Sequence, residues 1–304
     1  MSSTPVVLRS ATQNSQALAL ELHPQIGGAI TRFQLTRPGE TLDLLRPTPA
    51  QVIAERNVLE TSCYPLIPFS NRVKDGRFTF AGREYQLEPN LPGHPHPLHG
   101  HGWRCEWDVL EQSEDSVTLA YSRSGADFPS RQSGTQRFKL LPGALQVDLD
   151  LRNTGAEAMP AGIGLHPFFP KPADTRLHAQ LATVWLGTDD CIPVTRVSVP
   201  ERWDFSAGRD LGDLALDHCF GGWTGRARVV WPSRGVNLAI EATNVLTHAV
   251  IYAPPGQDFF CFEPVSNAND AFNLSARGID GVGLSVLKPG ESLSARVTFT
   301  VRSL

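Results

Sequence analysis

Short segments in which apolar and polar residues alternate one by one run along the whole chain. They include Ala17-Leu-Ala-Leu-Glu-Leu22, Ser116-Val-Thr-Leu-Ala-Tyr121, Leu145-Gln-Val-Asp-Leu-Asp-Leu151, Val236-Asn-Leu-Ala-Ile-Glu241 and Ser294-Ala-Arg-Val-Thr-Phe-Thr-Val301. A period of two is the signature of a strand with one buried face. In the third segment Val147, Leu149 and Leu151 share an apolar face while Gln146, Asp148, Asp150 and Arg152 point the other way, which is the patterning of an antiparallel sheet. Turn formers separate the segments: Lys74-Asp-Gly76, Asn153-Thr-Gly155, Ser233-Arg-Gly235 and Lys288-Pro-Gly290. Helical spacing is confined to Thr48–Leu59, enough for a turn or two. No repeat of fixed length occurs, which argues against a propeller. The expectation is an all-β chain, a large antiparallel β-sandwich of two or more sheets, whose rim loops bring distant residues together over a concave face.

No Gly/Ser, Pro-rich or charged linker interrupts the 304 residues, so a single domain over 1–304 is expected. The 27 basic and 31 acidic residues give a net charge of -4 and are spread along the chain. That leaves no electrostatic footprint for nucleic acid and no polybasic membrane segment, and points to a small-molecule partner. The first ten residues lack a basic region followed by an apolar one, and 18 apolar residues never run together, so a cytoplasmic location is expected, with no membrane contact. Five scattered cysteines fit reduced thiols better than a disulfide framework. Oligomeric state is left open between monomer and homodimer.

Four of the nine histidines fall in the run His94-Pro-His96-Pro-Leu-His99-Gly-His101-Gly-Trp103. The prolines forbid a shared helix face, and neither a His-Glu-x-x-His nor a Cys-x-x-Cys pattern accompanies the run. It reads as a rigid loop carrying one or two functional imidazoles, with no metal and no cofactor expected. Ionisable groups also stand beside Gly and Pro in Pro68-Phe-Ser-Asn71-Arg72, in Gly162-Ile-Gly-Leu-His166-Pro-Phe-Phe169 and in Phe259-Phe-Cys-Phe-Glu263-Pro. Glu263 closes an apolar strand run before a proline: it is either a general base of raised pKa or a solvated glutamate at a strand edge. His166 is either a held functional imidazole or a core histidine bonded to a carbonyl. Arg72 offers a planar fork for vicinal hydroxyls or forms a surface salt bridge, and Asp217, set between apolar residues, requires a partner, either a sugar hydroxyl or Arg72.

Taken together, Asn71-Arg72, Leu98-His99-Gly100, Gly164-Leu-His166-Pro-Phe168, Asp217-His-Cys-Phe220, Phe262-Glu263-Pro and Asp270-Ala-Phe-Asn273 resemble, in order and spacing, the aldose 1-epimerase (galactose mutarotase) family. The resemblance extends to Asp75-Gly-Arg-Phe-Thr-Phe80 and Leu287-Lys-Pro-Gly-Glu291 and spans nearly the whole chain. It implies the galactose mutarotase-like supersandwich and an isomerase that interconverts the anomers of a free aldose. It also implies Glu263 as general base, His166 as general acid, His99 as a second imidazole near the ring oxygen, and Arg72, Asp217 and Asn71 as contacts to sugar hydroxyls. In that scheme the carboxylate and a protonated imidazole stand on opposite sides of C1. His101-Gly-Trp103 and Asn269-Asp-Ala depart from the galactose-specific pattern and place the chain nearer the shorter bacterial branch, with galactose itself in doubt. The competing expectations are a hexose-phosphate mutarotase, which needs further cationic side chains, and a non-catalytic sugar-binding protein.

Overall fold

The computed structural model describes residues 4–212 and 214–304. Strands dominate, and the alternating segments form them: Ala17–His23, Ser116–Arg123, Ala144–Asn153, Val236–Ala242 and Ser292–Ser303. Val147, Leu149 and Leu151 are buried, while Gln146, Asp148 and Asp150 are half-buried and Arg152 is exposed, as a single apolar face requires.

Two large antiparallel sheets carry the fold. One has nine strands in the order Arg209–Asp210, Arg176–Ala179, Arg226–Trp231, Val236–Ala242, Ser292–Ser303, Ala144–Asn153, Gln132–Leu141, Ser116–Arg123 and Asp108–Gln112. The other runs Pro193–Ser198, Thr183–Gly187, Leu216–Gly221, His248–Ala253, Phe259–Val265, Gly164–Leu165 and Pro65–Leu66, with Phe168–Pro170 also pairing to Phe259–Val265. A four-stranded sheet of Val6–Arg9, Ala17–His23, Ala29–Arg37 and Glu40–Asp43 completes the framework.

The Phe259–Val265 strand is buried on both faces, which explains why Phe-Phe-Cys-Phe shows no alternation. One face sends Phe260 and Phe262 into the main core, where Phe169 lies 5.3 Å from Phe260 and 6.5 Å from Phe299 of the nine-stranded sheet (ring centroids). The other face joins a second apolar cluster that includes Tyr64, Phe168, Cys219, Val250 and Cys261. That second face carries the site.

The Thr48–Leu59 expectation resolves into a helix at Ala50–Glu55 and a 3-10 turn at Val58–Glu60. A second short helix, Ala271–Ala276, is absent from the reading of the sequence, because six residues do not establish a period. None of the helices among the described residues is long and apolar enough to cross a membrane.

Candidate active site

Cross-strand register assembles the site. The pairing that sets Val265 against Gly164 and Cys261 against Phe168 leaves His166 directly opposite Glu263. The ladder is interrupted between those two pairs, so the N–H that Pro264 lacks is missing where no bond is made on that side. On the other side Glu263 pairs with Val250, and Val250 with Cys219. One row away, Cys261 pairs with Tyr252 and Tyr252 with Asp217. Residues two apart on a strand share a face, so both rows look the same way. Glu263 is therefore an interior strand residue, 2% exposed, and the solvated-edge alternative is overturned.

His166 Nε2 lies 3.3 Å from Glu263 Oε1. The imidazole is clamped between two rings, Tyr64 and Phe168, each with its centroid 4.6 Å away. The backbone N–H of His166 donates to the Tyr64 carbonyl at 3.0 Å, so its position is fixed from both backbone and ring. Burial drives the two groups toward their neutral forms: the Glu263 carboxyl rises well above the ordinary glutamate range, helped by the Asp217 charge and opposed by Arg72, while His166 falls to about 3. A neutral acid with a neutral imidazole, and a carboxylate with an imidazolium, are proton tautomers of one pair. The remaining polar atoms, His166 Nδ1 and Glu263 Oε2, are buried without a hydrogen-bond partner among the described residues, which leaves them free to bond a ligand.

His99 and Asn71 lock one another. The Asn71 N–H donates to His99 Nδ1 and the His99 N–H donates to the Asn71 carbonyl, both at 2.9 Å. Both residues have left-handed backbones, at φ 58° and 63°, conformations tolerated at functional sites when the surroundings over-determine them. Gly100 follows at φ 69°, and a Cβ there would stand 2.3 Å from the Ile67 carbonyl oxygen, so only glycine lets the loop close on residue 67. Because Nδ1 accepts, the proton of a neutral His99 ring sits on Nε2, making His99 a donor. Burial and the neighbouring His166 hold its pKa well below the ordinary value.

Asn71, Arg72, His99, His166, Asp217 and Glu263 all line one cavity of about 520 Å³, within the range of small-molecule sites. The sequence reading thus named six residues that the fold brings together. It missed Arg46, Tyr64 and Tyr252 in the same lining, since a lone arginine or tyrosine gives no signal apart from ordinary packing, whereas Phe168 and Phe259 lie in stretches already singled out. Asp217 differs from the pairing with Arg72. Its Oδ2 accepts from the Cys191 thiol at 3.3 Å, and Arg72 instead donates Nη1 to Asn71 Oδ1 at 3.3 Å.

The other histidines of the cluster separate by role. His94 lines the cavity. His96 is a structural pin: Nδ1 accepts from the Asp75 N–H at 3.0 Å and Nε2 meets Asp190 Oδ2 at 2.7 Å. His101 faces a different cavity, with Arg104, Arg123 and Asp127. Trp103 is buried and donates its indole N–H to the carbonyls of Leu98 (3.0 Å) and Gly100 (3.1 Å), which rigidifies the loop. Asn273 of the Asp270-Ala-Phe-Asn273 motif is likewise structural, with Nδ2 donating to the Arg77 carbonyl and to Asp270 Oδ1.

One atom each from His99, His166 and Glu263 lies within 4.8 Å of the others, a spacing that a metal could bridge. The donor chemistry works against it. Ligation through His99 Nε2 would put a proton on Nδ1, facing the Asn71 N–H that now donates to it.

Residues 13–300 match the family model described as aldose 1-epimerase. The chain is 35% identical over 301 residues to the uncharacterised protein YphB of Escherichia coli K12, covering 96% of this chain and 99% of that one. Among solved structures, a galactose mutarotase-like protein of Clostridium acetobutylicum superposes with a TM-score of 0.83 at 16% identity, over 99% of each chain. A galactose 1-epimerase of Lactobacillus acidophilus superposes with a TM-score of 0.75 at 15% identity, also over 99% of each. At such identities these two likenesses concern the fold.

Proposed function

The chain belongs to the aldose 1-epimerase family, and we propose that it interconverts the α and β anomers of a free aldose at the cavity around His166 and Glu263. The observation that carries this reading is the 3.3 Å contact between a buried imidazole and a buried carboxyl, each with a second polar atom lacking a partner among the described residues, in the lining of a sugar-sized cavity.

Anomer exchange requires the hemiacetal to open, the C1–C2 bond to rotate and the ring to close on the other carbonyl face. Opening removes the proton of the C1 hydroxyl and adds one to the ring oxygen as the C1–O5 bond breaks. Glu263 as carboxylate accepts the first proton and His166 as imidazolium supplies the second, leaving the neutral pair that burial favours. Closure runs the same transfers backwards.

The two groups touch, whereas the sequence-based scheme set them on opposite sides of C1. Direct contact suffices, because both oxygens involved are bonded to C1, and it lets one proton pass between the residues to select the ionic tautomer. His99, a neutral donor at Nε2, steadies the ring oxygen, while Arg72, Asn71 and Asp217 hold hydroxyls. His166 between Tyr64 and Phe168 gains cation–π stabilisation when protonated, which offsets part of its desolvation.

The direct test is proton NMR exchange between the H1 signals of the two anomers across a panel of free aldoses. Acceleration by the protein, lost in Glu263→Gln with the circular dichroism unchanged, is the expected result; no acceleration of any aldose would overturn the proposal.

A further inference from the structure

Arg46 enters the cavity from the segment after the Glu40–Asp43 strand. Its guanidinium carbon lies 4.2 Å from the Phe168 ring centroid and 4.4 Å from that of Phe259. Phe168 is the ring stacked on His166 at 4.6 Å, so this cation stands one aromatic ring away from the acid/base pair. Arg46 Nη2 donates to the Thr61 carbonyl at 3.3 Å, and Nε is buried without a partner among the described residues. No carboxylate among the described residues forms an ion pair with Arg46, although burial pulls its pKa below the ordinary arginine value. A half-buried guanidinium held over two rings without a carboxylate in direct contact is costly to keep, and a planar anion is what its fork geometry suits.

We infer that the substrate class is an aldose carrying a carboxylate on the part of the ring remote from C1, a hexuronate, with Arg46 as the residue that selects it. This rests on the assignment of C1 chemistry to His166 and Glu263, which fixes the reducing end of the sugar and leaves the remote end toward the aromatic rim. A single negative charge suits the place better than a phosphate dianion. Glu60 lines the same cavity, and Glu60 and Asp258 both act on the Arg46 charge. The second guanidinium of the lining, Arg72, donates to Asn71 and is the one assigned above to sugar hydroxyls.

The test compares each uronate with its neutral parent, glucuronate with glucose and galacturonate with galactose, by H1 exchange NMR on the full chain. One of the two uronates is expected to show kcat/KM at least ~10-fold above its parent, the size of one charge-assisted bidentate contact. Arg46→Met, which keeps an apolar stem over Phe168 and Phe259, is expected to cut that ratio at least ~10-fold, and Arg46→Lys to fall between. Preference for the neutral parents, or an unchanged ratio in Arg46→Met, overturns the inference. If the protein accelerates none of the four sugars, the isomerase reading fails separately, and saturation-transfer NMR decides this one. Binding of a uronate over its parent that Arg46→Met abolishes then supports anion selection, and equal or absent binding overturns it.

Discussion

His166 and Glu263 are cross-strand neighbours at the one interruption of the ladder on their strand pair, with Nε2 and Oε1 3.3 Å apart. Where the ladder is intact, backbone bonds hold neighbouring strands; here two ionisable side chains meet instead. The pair inherits the rigidity of the sheet on either side of it, and burial from the second apolar cluster. That combination makes each residue sensitive to the charge state of the other.

Replacing either member removes one of two coordinated proton transfers. Glu263→Gln and His166→Asn are each expected to lower kcat for anomer exchange by about 10²–10⁴-fold, the usual worth of a positioned acid or base. Combining them should cost less than the product of the single losses, because the groups act as a unit. Polarimetry and H1 exchange NMR read both effects; full activity in Glu263→Gln would remove it from the base role.

His99 separates chemistry from architecture. Asparagine at 99 can present an acceptor near the Nδ1 position and keep the bond from the Asn71 N–H, whereas alanine leaves that buried N–H unpaired. His99→Ala should therefore be less stable than His99→Asn by about 1–2 kcal/mol in urea unfolding. Both should lose less turnover than His166→Asn, and an equal loss in all three would show that the acid role belongs elsewhere.

Acid should weaken the fold through the buried imidazoles. His166 falls from 6.5 to about 3 and His99 well below 6.5, so the neutral rings contribute fully above pH 6.5. As the pH drops from 6.5 toward the folded values, the unfolded chain takes up protons that the folded one refuses. Each ring then costs about 1.4 kcal/mol per pH unit. Glu263 has the opposite sign: its raised pKa contributes below its ordinary 4.5 and is lost as pH rises through the folded value. Unfolding free energies measured from pH 7 to 4 should fall less steeply in His166→Asn than in the wild type; parallel curves would contradict the assignment.

The acid limb of the kcat profile reports the ionisation of the pair. Asp217 raises Glu263 and Arg72 lowers it. Asp217→Asn is expected to move that limb to lower pH and Arg72→Met to higher pH, whatever their effects on the maximum rate. Shifts in the same direction in both variants would show that charge at these positions does not govern the pair.

Loop anchoring offers an independent check. His96 joins the histidine loop to the Asp190 segment, where the Thr188 hydroxyl and His96 together hold the Asp190 carboxyl at about 2. The neighbouring Cys191 thiol donates to Asp217. His96→Phe should raise KM more than it lowers kcat, since it loosens the support of Asp217 and leaves His166 and Glu263 in place. A fall in kcat at constant KM would contradict a positioning role.

The alternating segments determined by themselves that the chain is all-β and which face of each strand is buried, because side chains on a strand alternate with a fixed period. Glu263, His166, Arg72 and Asp217 stood out by their local setting, and the resemblance of the short motifs to the aldose 1-epimerase family added Asn71 and His99. Which strands are neighbours, and in what register, is not written in any one strand's pattern. Only the folded sheet put Glu263 opposite His166, turned Glu263 from a possible edge residue into a buried one, and gave Asp217 to Cys191. The histidine cluster shows the same division: its members lie within eight residues, yet His99 lines the cavity, His96 pins two loops and His101 faces another pocket. Local sequence sets the strand period and the turns, but contacts between residues far apart along the chain decide burial, charge state and partner, and those exist only once the sheet is formed.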